Sequence, residues 1–437
     1  MTATDRPILV QKFGGSSLSD TARLEVCADR VVAAIERGYR VVVVVSAMGR
    51  TTDRLLDLAR SLGGEPDPRA LDLLLATGEL ASTAMMVMAL AQRDTKATPL
   101  GGREAGIRTD PHHGRARILT IDPTRLSDLM SEGVVPVVAG FQGGSSIGEI
   151  TTIGRGGSDT TAVAIAAALD AGGTGGGCEI HTDVDGIHTA DPRIVGEARR
   201  LDVIGSDEML ELAAVGAGVL QERAVVFARR YDVPLRVLHS QHGGPGTVIL
   251  REVDGMERNS VVGCALRREL GRVGVTGLSA GAGPQSAIFS ALAAAGVMVD
   301  DIVQTADASS ISLAFTVDLA DLPAARDTVR SVVDRFPPDE LAAVGIDVEI
   351  GLAKVSVVGA GMRSTVGVAG RMFEALAESS VPILNITTSE IRISCLVPQD
   401  RGEIALSAVH EAFGLDVASE GGPSLGLAGG TDGSPED

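Results

Sequence analysis

The chain has 437 residues, a formal net charge of −19 and 44% hydrophobic residues, so two or three domains with a large buried core are expected. The negative charge disfavours nucleic acid and anionic lipid as partners, and the longest purely apolar runs fall far short of the roughly 18 residues of a membrane span. The polar N-terminus lacks the features of a secretory signal, and the four widely spaced cysteines include no CxxC pair, which favours a reducing cytoplasm over a disulfide framework or a bound metal.

The first 250 residues alternate between short β-branched runs and longer helical stretches. The runs ILVQKF, VVVVVSA, VVPVVAG, CEIHTDV and VPLRVL are predicted as buried strands, and residues 21–37, 52–62, 82–91 and 159–171 as helices. This alternation predicts an α/β domain over residues 1–250 with a mainly parallel central sheet. Because ligands in such sheets bind at the carboxyl ends of strands, the loops 14–17, 46–52 and 182–191 are candidate binding loops.

A different pattern follows a turn-rich break at about 241–256. Segments 273–278, 287–295, 297–305, 310–317 and 324–336 predict strand, helix, strand, strand and helix, and segments 354–358, 366–378, 381–388 and 391–397 begin the same order again. Two such units predict a duplicated ferredoxin-like βαββαβ domain, over residues 251–340 and 341–418. The glycine-rich, acidic tail at 419–437 is predicted to be disordered.

The motif QKFGGSS, residues 11–17, ends the first predicted strand. Gly14 and Gly15 would let backbone N–H groups approach an anion, Ser16 adds a hydroxyl donor, and Lys12 adds a positive charge. This composition is typical of a phosphate site, although the chain contains no Walker A sequence. An ordinary tight turn is the alternative interpretation.

The motif TTIGRGGSDTTAVAIAAALDA, residues 151–171, opens a predicted helix. Ser158 or Asp159 would cap that helix, whose positive dipole end faces the loop, and Arg155 could hold a carboxylate through two parallel hydrogen bonds. We expect a carboxylate or phosphate to bind here, the alternative being a helix cap beside a solvated arginine.

The motif HTDVDGIHTADPR, residues 181–193, follows another predicted strand. Its carboxylates Asp183, Asp185 and Asp191 could orient a nucleotide or a hydrated Mg²⁺ ion. They could equally belong to a polar turn, and the motif alone leaves both interpretations open.

Together these motifs resemble the aspartate kinase family within the amino-acid kinase superfamily. The segments SAMGRTTDRLL (46–56), TGELAS (77–82) and FQG (141–143) add to the likeness, and KVSVVGAGMRS (354–364) and TTSEIRIS (387–394) resemble that family's second ACT domain. The resemblance covers about residues 7–416 and implies an amino-acid kinase fold followed by two ACT domains. It implies transfer of the γ-phosphoryl group of ATP to the side-chain carboxylate of L-aspartate, giving 4-phospho-L-aspartate, the first step toward lysine, threonine and methionine.

The resemblance also implies roles for individual residues. Three of them, Lys12, Arg155 and Asp159, would be catalytic, with Lys12 stabilising the transferring phosphoryl group. The residues that would hold L-aspartate are Ser46, Thr52, Glu79, Arg155, Gly156, Ser158 and Asp159, with Glu79 facing the ammonium group. The residues that would hold ATP, whose phosphates Mg²⁺ would bridge, are Lys12, Phe13, Gly14, Gly15, Ser16, Thr182, Asp183, His188, Asp191, Pro192 and Arg193.

Several positions in the predicted kinase domain depart from the family pattern. Gly218 stands where relatives commonly have a lysine that contacts the ATP phosphates, and whether Arg223 replaces it is left open. His181 and His188 replace two tyrosines and could still stack on adenine. Leu80 replaces an arginine. The glycine-rich insertion at 172–177 is interpreted as a flexible spacer.

The ACT-like units raise the question of regulation. In the first unit Ala280 replaces a turn residue that would meet an effector's amino group, so inhibition by lysine or threonine is not assumed. The candidate effector residues are Gln304, Thr388, Ser389 and Glu390. Since ACT units generally pair with a partner copy, we expect a homodimer or larger assembly, and a separately translated ACT subunit starting near Met256 is a further hypothesis.

Two alternatives to an ordinary aspartate kinase stay open. One is a specialised-pathway paralogue with an altered substrate or altered feedback. The other is a catalytically weak subunit that senses amino acids, which Gly218 and the duplicated ACT-like units favour.

Overall fold

The computed structural model describes residues 6–216, 218–251, 260–279, 283–307, 310–337 and 344–417. Five sequence predictions lie outside these residues: part of the break at 241–256, the start near Met256, the turn at Ala280, the domain boundary at 340 and the tail at 419–437. The described residues form an N-terminal α/β domain and two smaller units that share a second sheet.

The N-terminal domain is built on short strands. In chain order they are β1 (Ile8–Phe13), β2 (Arg40–Val45), β3 (Ala97–Leu100), β4 (Ile107–Thr109), β5 (Ile118–Ile121), β6 (Val135–Ala139), β7 (Gln142–Gly144), β8 (Ile150–Thr152), β9 (Gly177–Thr182), β10 (Val203–Gly205), β11 (Leu235–His239) and β12 (Thr247–Leu250). In the described part of the chain, the central sheet has eight strands in the order β10-β12-β11-β9-β1-β2-β6-β3, and a smaller sheet has the order β5-β4-β7-β8. Neighbours in the central sheet are parallel except β11 and β12, which confirms the predicted mainly parallel sheet.

Helices cover both faces of the central sheet. They are α1 (Thr21–Glu36), α2 (Thr51–Ser61), α3 (Pro68–Ala91), α4 (Thr124–Ser131), α5 (Gly157–Ala168), α6 (Ser206–Ala214) and α7 (Glu222–Arg230). Side chains of α1 and α3 pack on one face, and side chains of α5 and α7 pack on the other. Because both faces are covered, the strands are apolar without alternation, as in the run Val41 to Val45.

Helix α3 is much longer than the helix predicted at 82–91. It starts at Pro68, where the Asp67 side chain accepts a hydrogen bond from the N–H of Ala70, and it continues through Gly78. A Cβ atom at Gly78 would lie 2.8 Å from the Cβ of Ala47, so this glycine allows close packing and does not end the helix. By length and composition α3 could cross a membrane, but its most apolar stretch is half buried inside the domain, as in the core helix of a globular protein.

The C-terminal part forms a second, antiparallel sheet. Its strands are β13 (Gly263–Ser279), β14 (Asp300–Ala306), β15 (Ser310–Asp318), β16 (Gly345–Val358), β17 (Asn385–Thr388) and β18 (Arg392–Pro398), and its helices are α8 (Gly283–Ala294), α9 (Leu322–Val333), α10 (Val368–Glu378) and α11 (Gly402–Ala412). Among the described residues the strand order is β14-β15-β13-β16-β18-β17. The predicted order of strand, helix, strand, strand and helix is therefore present twice.

The two units are joined through their longest strands. The first half of β13 pairs with the second half of β16, as at Gly263 and Val358, and the second half of β13 pairs with the first half of β16, as at Val275 and Ile346. Each long strand thus belongs to both units, and the first half of β13 completes the sheet of the second unit. The two units thus share one sheet, and the predicted boundary at 340, which lies outside the described residues, stays a prediction.

The second unit packs directly on the N-terminal domain. Ala190, Val195 and Ala198, which follow β9, lie in the same buried cluster as residues of β16 and α11. The buried Glu208 of α6 accepts a hydrogen bond from the N–H of Ala360 at 3.0 Å. The two parts of the chain therefore share both an apolar core and buried polar contacts.

Candidate active site

A cavity of about 260 Å³ lies where the carboxyl ends of β1 and β2 meet the start of α5. It is lined by Lys12, Gly15, Ser46, Ala47, Gly49, Thr52, Glu79, Phe141, Gly154, Arg155, Gly156, Gly157, Ser158 and Asp159. Every residue predicted to hold the amino acid lines this one cavity, although these residues come from three separate segments of the chain. The position agrees with the rule that α/β sheets bind ligands at the carboxyl ends of their strands.

Lys12 and Asp159 form an ion pair inside the cavity, with 2.5 Å between Nζ and Oδ1. Both side chains are about nine-tenths buried. Lys12 is near the end of β1, and Asp159 is in the first turn of α5, where the positive end of the helix dipole favours a negative group. The pair holds the Lys12 ammonium group in a fixed position inside the cavity.

Glu79 of α3 is buried with an incomplete set of partners. Its Oε1 accepts a hydrogen bond from the N–H of Ala47 at 3.1 Å, whereas its Oε2 is buried and receives no hydrogen bond from the described residues. Burial raises the pKa of Glu79 to about 7. A cationic group in the cavity would supply the missing partner, and the predicted ammonium group of an amino acid meets that requirement.

The loop that carries Arg155 is shaped by glycines and by contacts from α7. Gly156 has a left-handed backbone conformation with φ of 69°, and a Cβ atom there would lie 1.7 Å from Cγ of Gln221. Arg223 donates a hydrogen bond to the carbonyl of Ile153 at 2.8 Å. Gln221 and Arg223 therefore support this loop from outside. Sequence reasoning assigned neither this role, because no local pattern signals a contact so distant in sequence.

The glycine-rich turn after β1 lies tightly against its neighbours. A Cβ atom at Gly15 would lie 2.8 Å from the carbonyl oxygen of Ala47, so a side chain there would separate the two loops. The N–H of Gly14 donates to the carbonyl of His181 at 3.2 Å, so this amide is already paired and is not a free donor for phosphate. Ser16 is exposed beside the turn.

Phe13 and His181 stack inside the domain, with 4.7 Å between ring centroids. Both side chains are almost fully buried, and the His181 ring also lies 3.2 Å from Glu179. The interpretation that His181 stacks on adenine is therefore corrected, because its ring is part of the core. The Phe13 ring is likewise a core group, which leaves only its backbone facing the binding loops.

The loop after β9 carries the remaining residues predicted to hold the nucleotide. Thr182 donates to Asp183 at 3.0 Å, His188 contacts Asp185 at 2.7 Å, and Arg193 binds Asp191 with 2.8 Å between Nη2 and Oδ2. Pro192 lies within the same loop. None of these residues lines the 260 Å³ cavity, but β9 pairs with β1, so this loop and the glycine-rich turn are neighbours.

The described residues contain no group of three acidic, histidine or cysteine side chains able to hold a metal ion. The carboxylates of this loop instead bind side chains of the same loop.

Gly218, where a lysine was expected, has φ of 66°, and a Cβ atom there would lie 3.8 Å from the carbonyl oxygen of Gly216. Arg223 does not replace that lysine, because its guanidinium group binds the carbonyl of Ile153, and burial lowers its pKa. Arg223 therefore does not supply the phosphate contact that the family resemblance implied for a lysine at position 218.

Comparison with known proteins places these features in a family. Residues 7–239 match the amino acid kinase family, and residues 355–413 match an ACT domain. Over 410 residues the chain is 45% identical to an aspartokinase from Geobacillus stearothermophilus, a match that covers 93% of this chain and 97% of the relative. It is 44% identical over 409 residues to aspartokinase 2 from Bacillus subtilis, covering 93% of this chain and 98% of that protein. The chain belongs to the aspartokinase family.

Solved aspartokinase structures share the fold. E. coli aspartokinase III in complex with aspartate and ADP superposes with a TM-score of 0.76 at 28% identity, covering 93% of this chain and 99% of that one. The same enzyme in complex with lysine and aspartate gives a TM-score of 0.71 over the same shares of the two chains. The predicted amino-acid kinase fold followed by ACT domains is thereby confirmed.

The candidate effector residues of this aspartokinase lie in both ACT domains. Gln304 of β14 accepts a hydrogen bond from Gln285 at 3.1 Å, and Glu390 forms an ion pair with Arg363 at 2.6 Å. Thr388 ends β17, and Ser389 follows it. Since β14 and β17 are the two edge strands of the shared sheet, Gln304 and the Thr388–Glu390 group belong to different edges.

Phe141 is a site residue that the motif FQG contained but to which no role was assigned. It lies between β6 and β7 with φ of 69°, an unusual conformation for a residue with a side chain. Its carbonyl accepts a hydrogen bond from the N–H of Ile153 at 2.8 Å. Its unusual backbone therefore helps to hold the start of the Arg155 loop.

Proposed function

We propose that this aspartokinase transfers the γ-phosphoryl group of MgATP to the side-chain carboxylate of L-aspartate, giving 4-phospho-L-aspartate and ADP. The observation that carries the proposal is the charge pattern of one cavity. It holds the Arg155 guanidinium, the buried and incompletely paired carboxylate of Glu79, and the Lys12 ammonium paired with Asp159. Arg155 and Lys12 complement the two carboxylates of the substrate, Glu79 complements its ammonium group, and Asp159 holds the Lys12 side chain in place.

Each group has a role that follows from its position. Glu79 would hold the ammonium group and Arg155 the α-carboxylate, with Ser46, Thr52 and Ser158 as hydroxyl contacts. These contacts would leave the side-chain carboxylate near Lys12 and the start of α5. The carboxylate oxygen then attacks the γ-phosphorus, the bond from that phosphorus to the β–γ bridging oxygen breaks, and ADP leaves with the electron pair. Lys12 would offset the negative charge that brings two anions together.

The nucleotide would lie over the glycine-rich turn and the loop after β9. The neighbouring position of these two loops supports this placement, and so does the similarity to E. coli aspartokinase III, which was solved with aspartate and ADP. Asp183, His188, Asp191, Pro192 and Arg193 would then contact the nucleoside from its open side, once the ion pairs within the loop rearrange.

We also propose a domain organisation, an allosteric effector and a cellular location for the enzyme. Residues 1–250 would form the catalytic domain, with ACT domains at 251–340 and 341–418. Lysine or threonine would act as effector and a second copy as partner through the ACT domains. The complex of E. coli aspartokinase III with lysine supports an effector of this class. A reducing cytoplasmic location is supported by the four cysteines, which are all free and buried.

The test is ADP release from purified protein with ATP, Mg²⁺ and L-aspartate. The Lys12→Ala variant should lower kcat by about 100-fold or more, the range seen when one charge-stabilising group is removed from an active site. Lys96→Ala is the matched control, because Lys96 is an exposed lysine outside the cavity. ADP release at the wild-type rate in Lys12→Ala would overturn the assigned role. Binding of aspartate without any ADP release would favour the amino-acid-sensing alternative, and release with a different amino acid would favour the specialised paralogue.

A further inference from the structure

Helix α3 carries a second buried carboxylate that the proposed reaction does not use. Asp72 is 1% exposed and lies seven residues before Glu79. Seven residues are almost two helical turns, so both carboxylates lie on the same side of the helix. Glu79 reaches the cavity, whereas Asp72 is outside its lining.

Asp72 is surrounded by hydrogen-bond donors. It accepts from the N–H of Thr152 at 3.0 Å and from the Thr152 hydroxyl at 2.5 Å. It also accepts from the N–H of Gly114 at 3.1 Å and contacts a ring nitrogen of His113 at 2.8 Å. Such a set satisfies an ionised carboxylate, and hydrogen bonds to a charged group are stronger than those between neutral groups.

These contacts fix the start of the Arg155 loop. Thr152 is the last residue of β8, three residues before Arg155. Its carbonyl accepts a hydrogen bond from the N–H of Ala116 at 2.9 Å, so Thr152 is held on both sides. The segment that carries Arg155 is therefore tied to the same helix that carries Glu79.

We infer that Asp72 is a positioning residue for the amino-acid substrate, because it sets the distance between the Arg155 loop and Glu79. This inference rests on the proposed function, in which Arg155 holds the carboxylate and Glu79 the ammonium group of one small molecule. A substrate of this size needs both contacts at a fixed separation, because its ammonium and carboxylate groups are only a few bonds apart, and a displacement of about 1 Å is enough to weaken such a site strongly. Among the described residues, the loops proposed to bind ATP donate no hydrogen bond to Asp72, so binding of ATP should not depend on it.

The decisive variant is Asp72→Asn, which keeps the shape of the side chain but presents an NH₂ group to the surrounding donors. We expect KM for L-aspartate to rise about tenfold or more, while KM for ATP stays within about twofold. A purely structural role would lower the active fraction and hence the apparent kcat, without raising KM for one substrate only. Thr152→Val should act in the same direction through loss of the hydroxyl donor, and Thr152→Ser, which keeps that donor, should restore a value near wild type.

Glu149→Gln is the matched control. Glu149 contacts the other ring nitrogen of His113 at 3.3 Å and pairs with Arg69 at 2.9 Å, but it does not bind Thr152 through its side chain. This variant neutralises an acidic group in the same cluster and should leave both KM values unchanged. An equal rise in KM for L-aspartate in Glu149→Gln would show that the local charge, not the tie to Thr152, is responsible.

Amide hydrogen exchange provides a readout that does not depend on turnover. In folded Asp72→Asn, peptides that span residues 150–157 should exchange faster, because one amide oxygen replaces two carboxylate oxygens and the neutral acceptor binds the Thr152 amide more weakly. If the wild-type enzyme phosphorylates L-aspartate but KM for L-aspartate is unchanged in Asp72→Asn, the inference about Asp72 is wrong and the proposed function still holds. If the wild-type enzyme does not phosphorylate L-aspartate, the proposed function is wrong. If the exchange rate at Thr152 is unchanged in Asp72→Asn, the hydrogen bonds between Asp72 and Thr152 do not hold this segment in place. If Asp72→Asn does not fold, KM for L-aspartate and amide hydrogen exchange are measured in Thr152→Val instead, with the same expected results.

Discussion

The hydroxyl of Thr189 and the ring of His410 are joined by a hydrogen bond of 2.9 Å between two buried residues. Thr189 lies in the loop proposed to contact the nucleotide, and His410 lies on the last helix of the second ACT domain. The Thr189 oxygen also accepts from the N–H of Arg199 at 3.2 Å, so the hydroxyl proton is available for Nε2 of His410. This nitrogen can accept only when the ring is neutral, and burial lowers the pKa of His410 accordingly.

The state of His410 predicts a pH dependence of stability. Because its pKa is lowered in the folded protein, the unfolded chain takes up a proton first as the pH falls below about 6.5, and the free energy of unfolding should decrease. Asp416 and Glu197 oppose this shift and Arg199 adds to it. In His410→Gln the amide oxygen can still accept from Thr189, but the titrating group is gone. Urea unfolding at pH 8 and pH 6 should therefore show a smaller loss of stability in the variant than in wild type, and equal losses would contradict this account.

The buried carboxylate of Glu79 predicts that binding of L-aspartate weakens as the pH falls. Its pKa of about 7 means that the carboxylate is largely protonated at pH 6, and a neutral acid attracts an ammonium group only weakly. KM for L-aspartate should therefore be higher at pH 6 than at pH 8. In Glu79→Gln, KM should be raised at both pH values and should vary less between them. A wild-type profile that persists in this variant would assign the titration to another group.

Gly15 predicts a steric effect on catalysis. A Cβ atom there would meet the carbonyl of Ala47 at 2.8 Å, so Gly15→Ala should push the glycine-rich turn away from the loop after β2 and reduce kcat about tenfold or more. Gly196→Ala is the control, because a Cβ atom at Gly196 meets no atom of the described structure within 4 Å. The measurement is the kcat of both variants by steady-state kinetics. Similar kcat values in Gly15→Ala and Gly196→Ala would show that the glycine-rich turn accommodates the extra methyl group without loss of activity.

Sequence patterns predicted five of the eight strands of the central sheet, because runs of apolar residues are a local signal. The family resemblance, not a local pattern, indicated Ser46, Thr52 and Glu79 as site residues. Buried parallel strands have continuous apolar runs, and the loops that follow them carry glycine, hydroxyl and charged groups. The tie between Asp72 and Thr152 joins residues 80 positions apart, and no local pattern indicates such a pairing. The strands β13 and β16 were also only partly predicted, at 273–278 and 354–358. Their full length depends on pairing between distant halves that belong to different units, which no local pattern indicates.

His181 shows a second limit of sequence reasoning. Its position after a strand is compatible with either an exposed or a buried ring, and the choice depends on pairing with Phe13 across β1 and β9. A polar residue in a binding motif can therefore be a core residue when the neighbouring strand supplies an aromatic partner.

Lys354 and Asp301 predict a strong coupling inside the shared ACT sheet. Lys354 is 1% exposed and pairs with Asp301 at 2.8 Å and also with Asp300. Asp300 has a second partner in Arg267 at 3.2 Å, whereas the other side-chain contact of Asp301 is the Thr387 hydroxyl at 3.1 Å. Removing the lysine therefore leaves mainly Asp301 as a buried and poorly compensated charge.

We expect Lys354→Met to lower the free energy of unfolding by about 3 kcal/mol, the cost of breaking a buried ion pair from one side. Asp301→Asn alone should also destabilise, because it leaves the lysine with the partly exposed Asp300 as its only carboxylate among the described contacts. The double variant Lys354→Met/Asp301→Asn removes both charges of the pair, so neither position carries an unpaired buried charge. Its loss in free energy of unfolding should therefore be clearly smaller than the sum of the two single losses. Urea unfolding of the three variants measures this coupling. Strictly additive losses would show that the two side chains contribute to stability independently.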